Sequence, residues 1–283
     1  MTATAFKLRQ VIETRNGYIV ASAFTIAYAA LFSASLPGRQ VLSAASHALV
    51  DFKVLWVCIL VGLWRIASTS SRDLRLGDVI WGGLFAILAA VTAGLWPWLC
   101  LAAFAGAFLT RTKQHEIRQA LFLLLAIGIH ETVVTICGEV FGDALLSLDA
   151  SIAQFLTHWF LPELLASGTT LQVSDGHSVA LVWGCSSLSY VGDMMLLCWA
   201  LTLLLGDKKK PGGDLWKWLA LVATMTVALN AARLALMATS PPIYHFLHDG
   251  FGAVIFRIII LTGAVSIAWL QSSHAIRKPL SVA

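Results

Sequence analysis

Three short stretches of this sequence carry side chains with chemistry. Cys185 lies in Gly184-Cys185-Ser186-Ser187-Leu188, Arg233 in Leu229-Asn230-Ala231-Ala232-Arg233-Leu234, and His248 in His248-Asp249-Gly250-Phe251-Gly252. A thiolate attacks a carbonyl, an imidazole moves the proton, and a fixed cation stabilises the oxyanion. The small residues around Cys185 precede a long apolar run. A turn that opens a helix leaves backbone N–H groups unpaired and sets the positive end of the dipole beside the sulfur. Such a setting favours the thiolate. Arg233 stands inside the apolar run Leu219–Met237, where an arginine is costly unless paired or functional. The five cysteines, Cys58, Cys100, Cys137, Cys185 and Cys198, show neither CxxC nor a His/Cys ligand spacing. No metal and no organic cofactor is implied.

The elements that must position these residues are membrane spans. Of 283 residues, 58% are hydrophobic and 12% charged, and the mean hydropathy is +0.80. Soluble chains carry about twice that charged fraction. The apolar runs approach the ~20 residues that cross a bilayer, so the fold class is an all-α polytopic membrane protein. Eight spans are expected: Tyr18–Leu36, Leu49–Ala67, Val79–Gly94, Leu95–Thr110, Ile117–Phe141, Ser187–Gly206, Leu215–Met237 and Gly250–Leu270. The third and fourth turn at Trp96-Pro97-Trp98, with one long bent helix as the alternative. The N-terminus leads into the first span without a small-residue cleavage site, which reads as a transmembrane helix and not a removed signal peptide.

Between the fifth and sixth spans lies the longest non-spanning segment, Gly142–Gly184. Within it Ser151–Leu165 reads as an interfacial helix anchored by Phe155, Trp159 and Phe160. Two β-rich runs around Ser174-Asp175-Gly176 then predict a hairpin that delivers Cys185 to the membrane edge. No repeat or linker divides the chain. It is expected to be one integral membrane domain over residues 1–283, with N-terminal spans over 18–141 and a catalytic core over about 168–256.

Lys and Arg set the orientation. With the N-terminus in the cytoplasm, every Lys and Arg except Arg39, Lys53, Arg233 and Arg257 falls on the cytoplasmic side. Both termini are then on the cytoplasmic side of the membrane, and Cys185, Arg233 and His248 reach one depth at the outer surface. Asn230 shares a helix face with Arg233, one turn away. The basic residues sit in short loops, so they report topology and not a nucleic-acid partner. Deeper in the bundle stand Asp193, Arg257 and Glu131. A buried cluster of Arg257 with Asp193, Glu131 or both is expected, because an unpaired charge there is expensive.

The three stretches resemble the motifs of the exosortase/archaeosortase family. The likeness covers about Gly168–Phe256, and the first five spans only in number. It implies an eight-span transpeptidase with a Cys-Arg-His triad. Cys185 would be the nucleophile, Arg233 the oxyanion or substrate-orienting group and His248 the acid/base, with Asn230, Ser186, Ser187 and Gly252 at supporting positions. It also implies a substrate: a membrane-anchored protein whose C-terminal sorting signal joins a short motif to a transmembrane helix and a basic tail. The acyl group would pass to an amine acceptor or to water. The family usually has glycine where this chain has Ser187, which either removes a φ > 0 option or adds a hydroxyl for a hydrogen bond. Two other readings remain at this point. Arg233 and His248 could bind an anionic ligand in a non-enzymatic component of polysaccharide assembly or transport. Cys185 could also form a disulfide with Cys137.

Overall fold

The computed structural model describes residues 14–34, 41–70, 74–173, 177–205 and 215–277. Nine α-helices occur among them: α1 (Arg15–Ala34), α2 (Val41–Ala67), α3 (Leu76–Val91), α4 (Trp96–Arg111), α5 (His115–Thr157), α6 (Ser187–Leu205), α7 (Leu215–Met237), α8 (Pro241–His248) and α9 (Phe251–Arg277). Four of them, α5, α6, α7 and α9, are long and apolar enough to cross a membrane. The described chain packs as two compact units, one of 1–133 with 203–208 and one of 134–202 with 209–283.

In the first unit, α1 packs against α2, α3 and α4. The break between α3 and α4 is real, which removes the single bent helix. Gly94 takes a left-handed φ of +69°, and Pro97 then starts α4 in the first turn, where its missing N–H costs nothing. Buried Arg15 donates from Nε to buried Asp78 at 3.0 Å, tying the start of α1 to the start of α3. Close packing inside this unit also uses Gly128, where a Cβ would stand 2.7 Å from the Trp98 carbonyl oxygen.

The second unit corrects two expectations. The interfacial helix over Ser151–Leu165 is not a separate element. Its first residues are the end of α5, a continuous helix of 43 residues. At ~1.5 Å per residue that is about 65 Å, twice the hydrocarbon thickness. No proline interrupts residues 115–157, so the backbone ladder runs through Gly142 and Asp143 and ends at Thr157. Phe155, Trp159 and Phe160 lie at and just beyond that end with their rings largely exposed. Likewise Ala238–Asp249, left between the expected spans Leu215–Met237 and Gly250–Leu270, is no plain loop but contains the helix α8, opened by Pro241-Pro242.

The strands form a three-stranded antiparallel sheet: β1 (Leu165–Ser167), β2 (Thr170–Gln172) and β3 (Ser178–Ala180). The expected hairpin is β2–β3, paired Thr170 to Ala180, and β1 is a strand that the pattern did not indicate. Its tight connection to β2 uses Gly168 at φ +58°. The Ser174-Asp175-Gly176 turn lies outside the described residues, as do Lys7, Arg9, Arg39, Arg72, Lys208, Lys209, Lys210 and Lys278. Leu171, Val179 and Leu181 point from the sheet into a core shared with Leu146, Ala150 and Ala153 of α5 and Ala231, Leu234 and Ala235 of α7. Cys185 belongs to that core. Cys137 and Cys185 are both free thiols, so no Cys137–Cys185 disulfide exists.

Candidate active site

The sheet ends at Leu181, whose N–H bonds to Thr169 O at 2.8 Å, and the chain turns into a short 3-10 helix, Trp183–Cys185. The cysteine therefore precedes α6 by a turn of its own. The expected unpaired N–H groups are absent. Cys185 N donates to Val182 O (2.7 Å) and Ser186 N to Trp183 O (3.0 Å). Ser187 N donates to Asp149 Oδ2 (3.0 Å), Leu188 N to Ser186 Oγ (3.2 Å) and Ser189 N to Ser186 O (3.2 Å). Every backbone donor from Cys185 to Ser189 is spent on holding the turn.

Side chains lock the same turn from three sides. Asp149, buried on α5, accepts from Ser186 Oγ at 2.9 Å as well as from Ser187 N. Asn230 on α7 donates through Nδ2 to Cys185 O at 2.9 Å and to Ser187 Oγ at 3.0 Å. Tyr190 Oη donates to Gly184 O at 3.1 Å. Ser187 thus uses its hydroxyl as an acceptor, and no non-glycine residue among those described has a positive φ. The turn asks for no glycine at this position.

Trp183 seats the turn on α5. A Cβ at Gly138 would lie 2.7 Å from the Trp183 ring. Gly138→Ala is therefore expected to displace the indole two residues before the sulfur and to cost about 1–3 kcal/mol. A lowered melting temperature together with altered Cys185 alkylation would show this. Unchanged values for both would mean that the ring relaxes freely.

The structure brings Cys185, Arg233 and His248 together. The thiol hydrogen-bonds the His248 imidazole. On the other side of that ring, Nδ1 lies 2.6 Å from Asp249 Oδ1, which leaves Nε2 for the sulfur. Tyr244, one turn earlier on α8, stacks flat on the imidazole with centroids 4.9 Å apart and planes 12° apart. Burial pushes the Cys185 thiol up. The His248 hydrogen bond, the Arg233 and His248 charges and the Val182 N–H together outweigh it and hold the thiol below its ordinary value. The Cys185 hydrogen bond raises His248, burial opposes, and Asp249 adds to the rise. These directions favour a thiolate–imidazolium pair, which titrates as one unit.

Arg233 is 3% exposed. Its Nε and Nη2 donate to Leu247 O at 3.2 and 3.0 Å, and its guanidinium carbon lies 5.1 Å from the Phe256 ring centroid. Nη1 takes no hydrogen-bond partner among the described residues. Gly252 opens α9 beneath α8, where a Cβ would meet the Phe246 ring at 2.5 Å. His245 is largely exposed, its Nδ1 3.8 Å from Asp249 Oδ2. The deeper charges are placed one by one. Asp193 is buried on α6 and Arg257 half-buried on α9, both in the second unit, whereas Glu131 belongs to the first, 3.6 Å from His130 Nε2.

Sequence reasoning missed Asp149, Asp249 and Tyr244 as members of this constellation. A buried thiol paired with an imidazole, a carboxylate behind the ring and a guanidinium whose charge favours the thiolate can perform acyl transfer through a thioester. No protein-family model, curated protein or solved structure matches the chain.

Proposed function

We propose that this chain is a membrane-embedded cysteine transpeptidase or protease of the exosortase/archaeosortase kind. It cleaves a C-terminal sorting signal at the extracytoplasmic face. The observation that carries this reading is the hydrogen bond between Cys185 and His248, with Asp249 on the other ring nitrogen and the Arg233 charge favouring the thiolate. A cysteine kept only for packing has no use for such partners, and burial alone would raise its pKa.

In this mechanism the Cys185 thiolate attacks the scissile carbonyl carbon, and the carbonyl π pair moves onto oxygen. Arg233, through Nη1, holds that oxyanion. Collapse restores the carbonyl and breaks the C–N bond, and the leaving amine takes its proton from His248 Nε2. The thioester is then attacked by an amine or water, which gives its proton back to His248 as the thiolate leaves. Asp249 holds the imidazole in the required tautomer, and Tyr244 limits its rotation. Eight spans with both termini cytoplasmic, supported by the Lys and Arg distribution, place the site outside. The substrate is a membrane protein carrying a motif, a transmembrane helix and a basic tail.

The chemistry is tested by the pH dependence of Cys185 alkylation. In the wild type the midpoint is expected below the ~8.5 of an ordinary thiol. His248→Ala removes the hydrogen bond and a cation, so the midpoint rises by roughly 1–2 units. Asp249→Asn lowers the imidazolium pKa. The alkaline limb of substrate processing, where the imidazolium loses its proton, then moves to lower pH. A midpoint that ignores His248→Ala would sink the ion-pair mechanism.

A further inference from the structure

The two edges of the three-stranded sheet are treated differently. In an antiparallel ladder the backbone groups of successive residues point alternately at the partner strand and away from it. Leu181 N donates to Thr169 O at 2.8 Å and Val173 N to His177 O at 3.3 Å, so His177, Val179 and Leu181 face β2. Ser178 and Ala180 therefore turn their N–H and C=O groups outward, along the edge of β3 that carries no strand. At the opposite edge the outward residue is Ala166 of β1, and its N–H is taken by Gln154 Oε1 of α5 at 3.2 Å. Among the described residues no group bonds the outward N–H and C=O of Ser178 and Ala180.

An unpaired edge is usually blunted by a charge, a proline or a bulge. β3 has none of these: exposed Ser178 and Ala180 flank buried Val179. The strand also leads straight to the proposed nucleophile. Leu181 ends the sheet, exposed Val182 follows, and the 3-10 turn carries the chain to Cys185. Gly184, next to the cysteine, is exposed, and a Cβ added there would meet no atom within 4 Å. Space is therefore open beside the chain at both Val182 and Gly184.

We propose that the open edge of β3 binds the substrate: the extended peptide segment just before the scissile bond pairs with Ser178 and Ala180 as a fourth strand. This inference rests on the proposed cysteine chemistry and adds to it how the peptide is held. The strand direction follows from the reaction. The segment after the scissile bond leaves as the amine and continues into a transmembrane helix, so the acyl segment is the one left for β3. Its C-terminal end lies at Cys185, where β3 also leads, and the added strand runs parallel to β3. Pairing through the backbone selects an extended chain and tolerates many side chains. Three residues are too few to recruit another sheet but enough to align a peptide already held at the sulfur.

The test uses the full chain in neutral detergent and two reagents from which the Cys185 thiolate displaces chloride. One is chloroacetamide. The other is acetyl-tetra-alanine chloromethyl ketone, whose peptide stands in for the acyl segment. Labelling of Cys185 is followed by mass spectrometry, and each rate is divided by that with free cysteine. On this scale the peptide reagent is expected to be roughly tenfold faster or more. N-methylation of its amides should cost roughly fivefold per lost hydrogen bond at alternate positions and nothing at those between. In the protein, Ala180→Pro removes one outward N–H and spares the β2 ladder, as an edge strand allows. It should slow the peptide reagent by a similar factor relative to chloroacetamide. If Ala180→Pro does not fold, the N-methylated series on the wild type decides. A peptide reagent no faster than chloroacetamide overturns strand addition, as does an advantage that ignores N-methylation or survives Ala180→Pro. A low alkylation midpoint would then leave the cysteine chemistry standing, whereas an ordinary midpoint removes that chemistry and strand addition with it.

Discussion

Cys185→Ser is expected to stop processing, lowering turnover by roughly 10⁴-fold or more, while the protein still reaches the membrane folded. The exchange swaps sulfur for oxygen at a residue that is 3% exposed, so the packing against Leu171, Val179 and Ala231 survives. The new hydroxyl can bond the His248 ring, and the stability change should stay near 1 kcal/mol. Chemistry is lost for a different reason. His248 and Arg233 hold a thiol below its ordinary pKa, whereas a hydroxyl starts far higher on the pKa scale and remains protonated beside them. Membranes from cells carrying this variant should accumulate substrate proteins with the C-terminal helix and basic tail intact. A melting temperature within a few degrees of the wild type separates loss of chemistry from loss of fold. Full processing by Cys185→Ser would instead favour a component that binds an anion through Arg233 and His248.

The residue types of the proposed site were legible because each is anomalous where it stands: a cysteine among small residues, an arginine in an apolar run. Their supports were not. Asp149 lies 37 residues before Ser186, and no local spacing connects a carboxylate on α5 with a serine hydroxyl after the sheet. In the sequence it looks like a surface charge. The continuous ladder of α5 is what carries it to the buried turn. Asp249 is the neighbour of His248, and neighbours on a helix face apart. The helix ends at His248, however, and Asp249 has cap geometry at φ −110° and ψ −13°, which frees its carboxylate to reach the ring. Tyr244 stood at i−4 from His248, the right spacing for one helix face. Pro241-Pro242 was the signal that this loop begins a helix. The spans fared better where apolar runs have sharp ends, as at Leu215–Met237, found with those bounds. They fared worse where isolated acids in α5 imitated a loop.

Arg233→Gln is expected to lower turnover by about 10²–10³-fold, the usual loss for a single oxyanion donor. Here that donor has no understudy. A cysteine or serine enzyme commonly stabilises the oxyanion with backbone N–H groups near the nucleophile, but those from Cys185 to Ser189 are all bonded to Val182, Trp183, Asp149 and Ser186. The guanidinium is left to do it, held in place by Leu247 O and the Phe256 ring while Nη1 stays available. Its charge also helps hold the Cys185 thiol low. The two contributions separate with Arg233→Lys. An ammonium keeps the charge and should preserve most of the low alkylation midpoint. It lacks the fork that grips Leu247 O while offering a third nitrogen, so turnover should stay depressed. Arg233→Gln should raise the midpoint and depress turnover together. Turnover within threefold of the wild type in Arg233→Gln would remove Arg233 from the reaction and leave it the structural task of pinning the end of α8 beside His248.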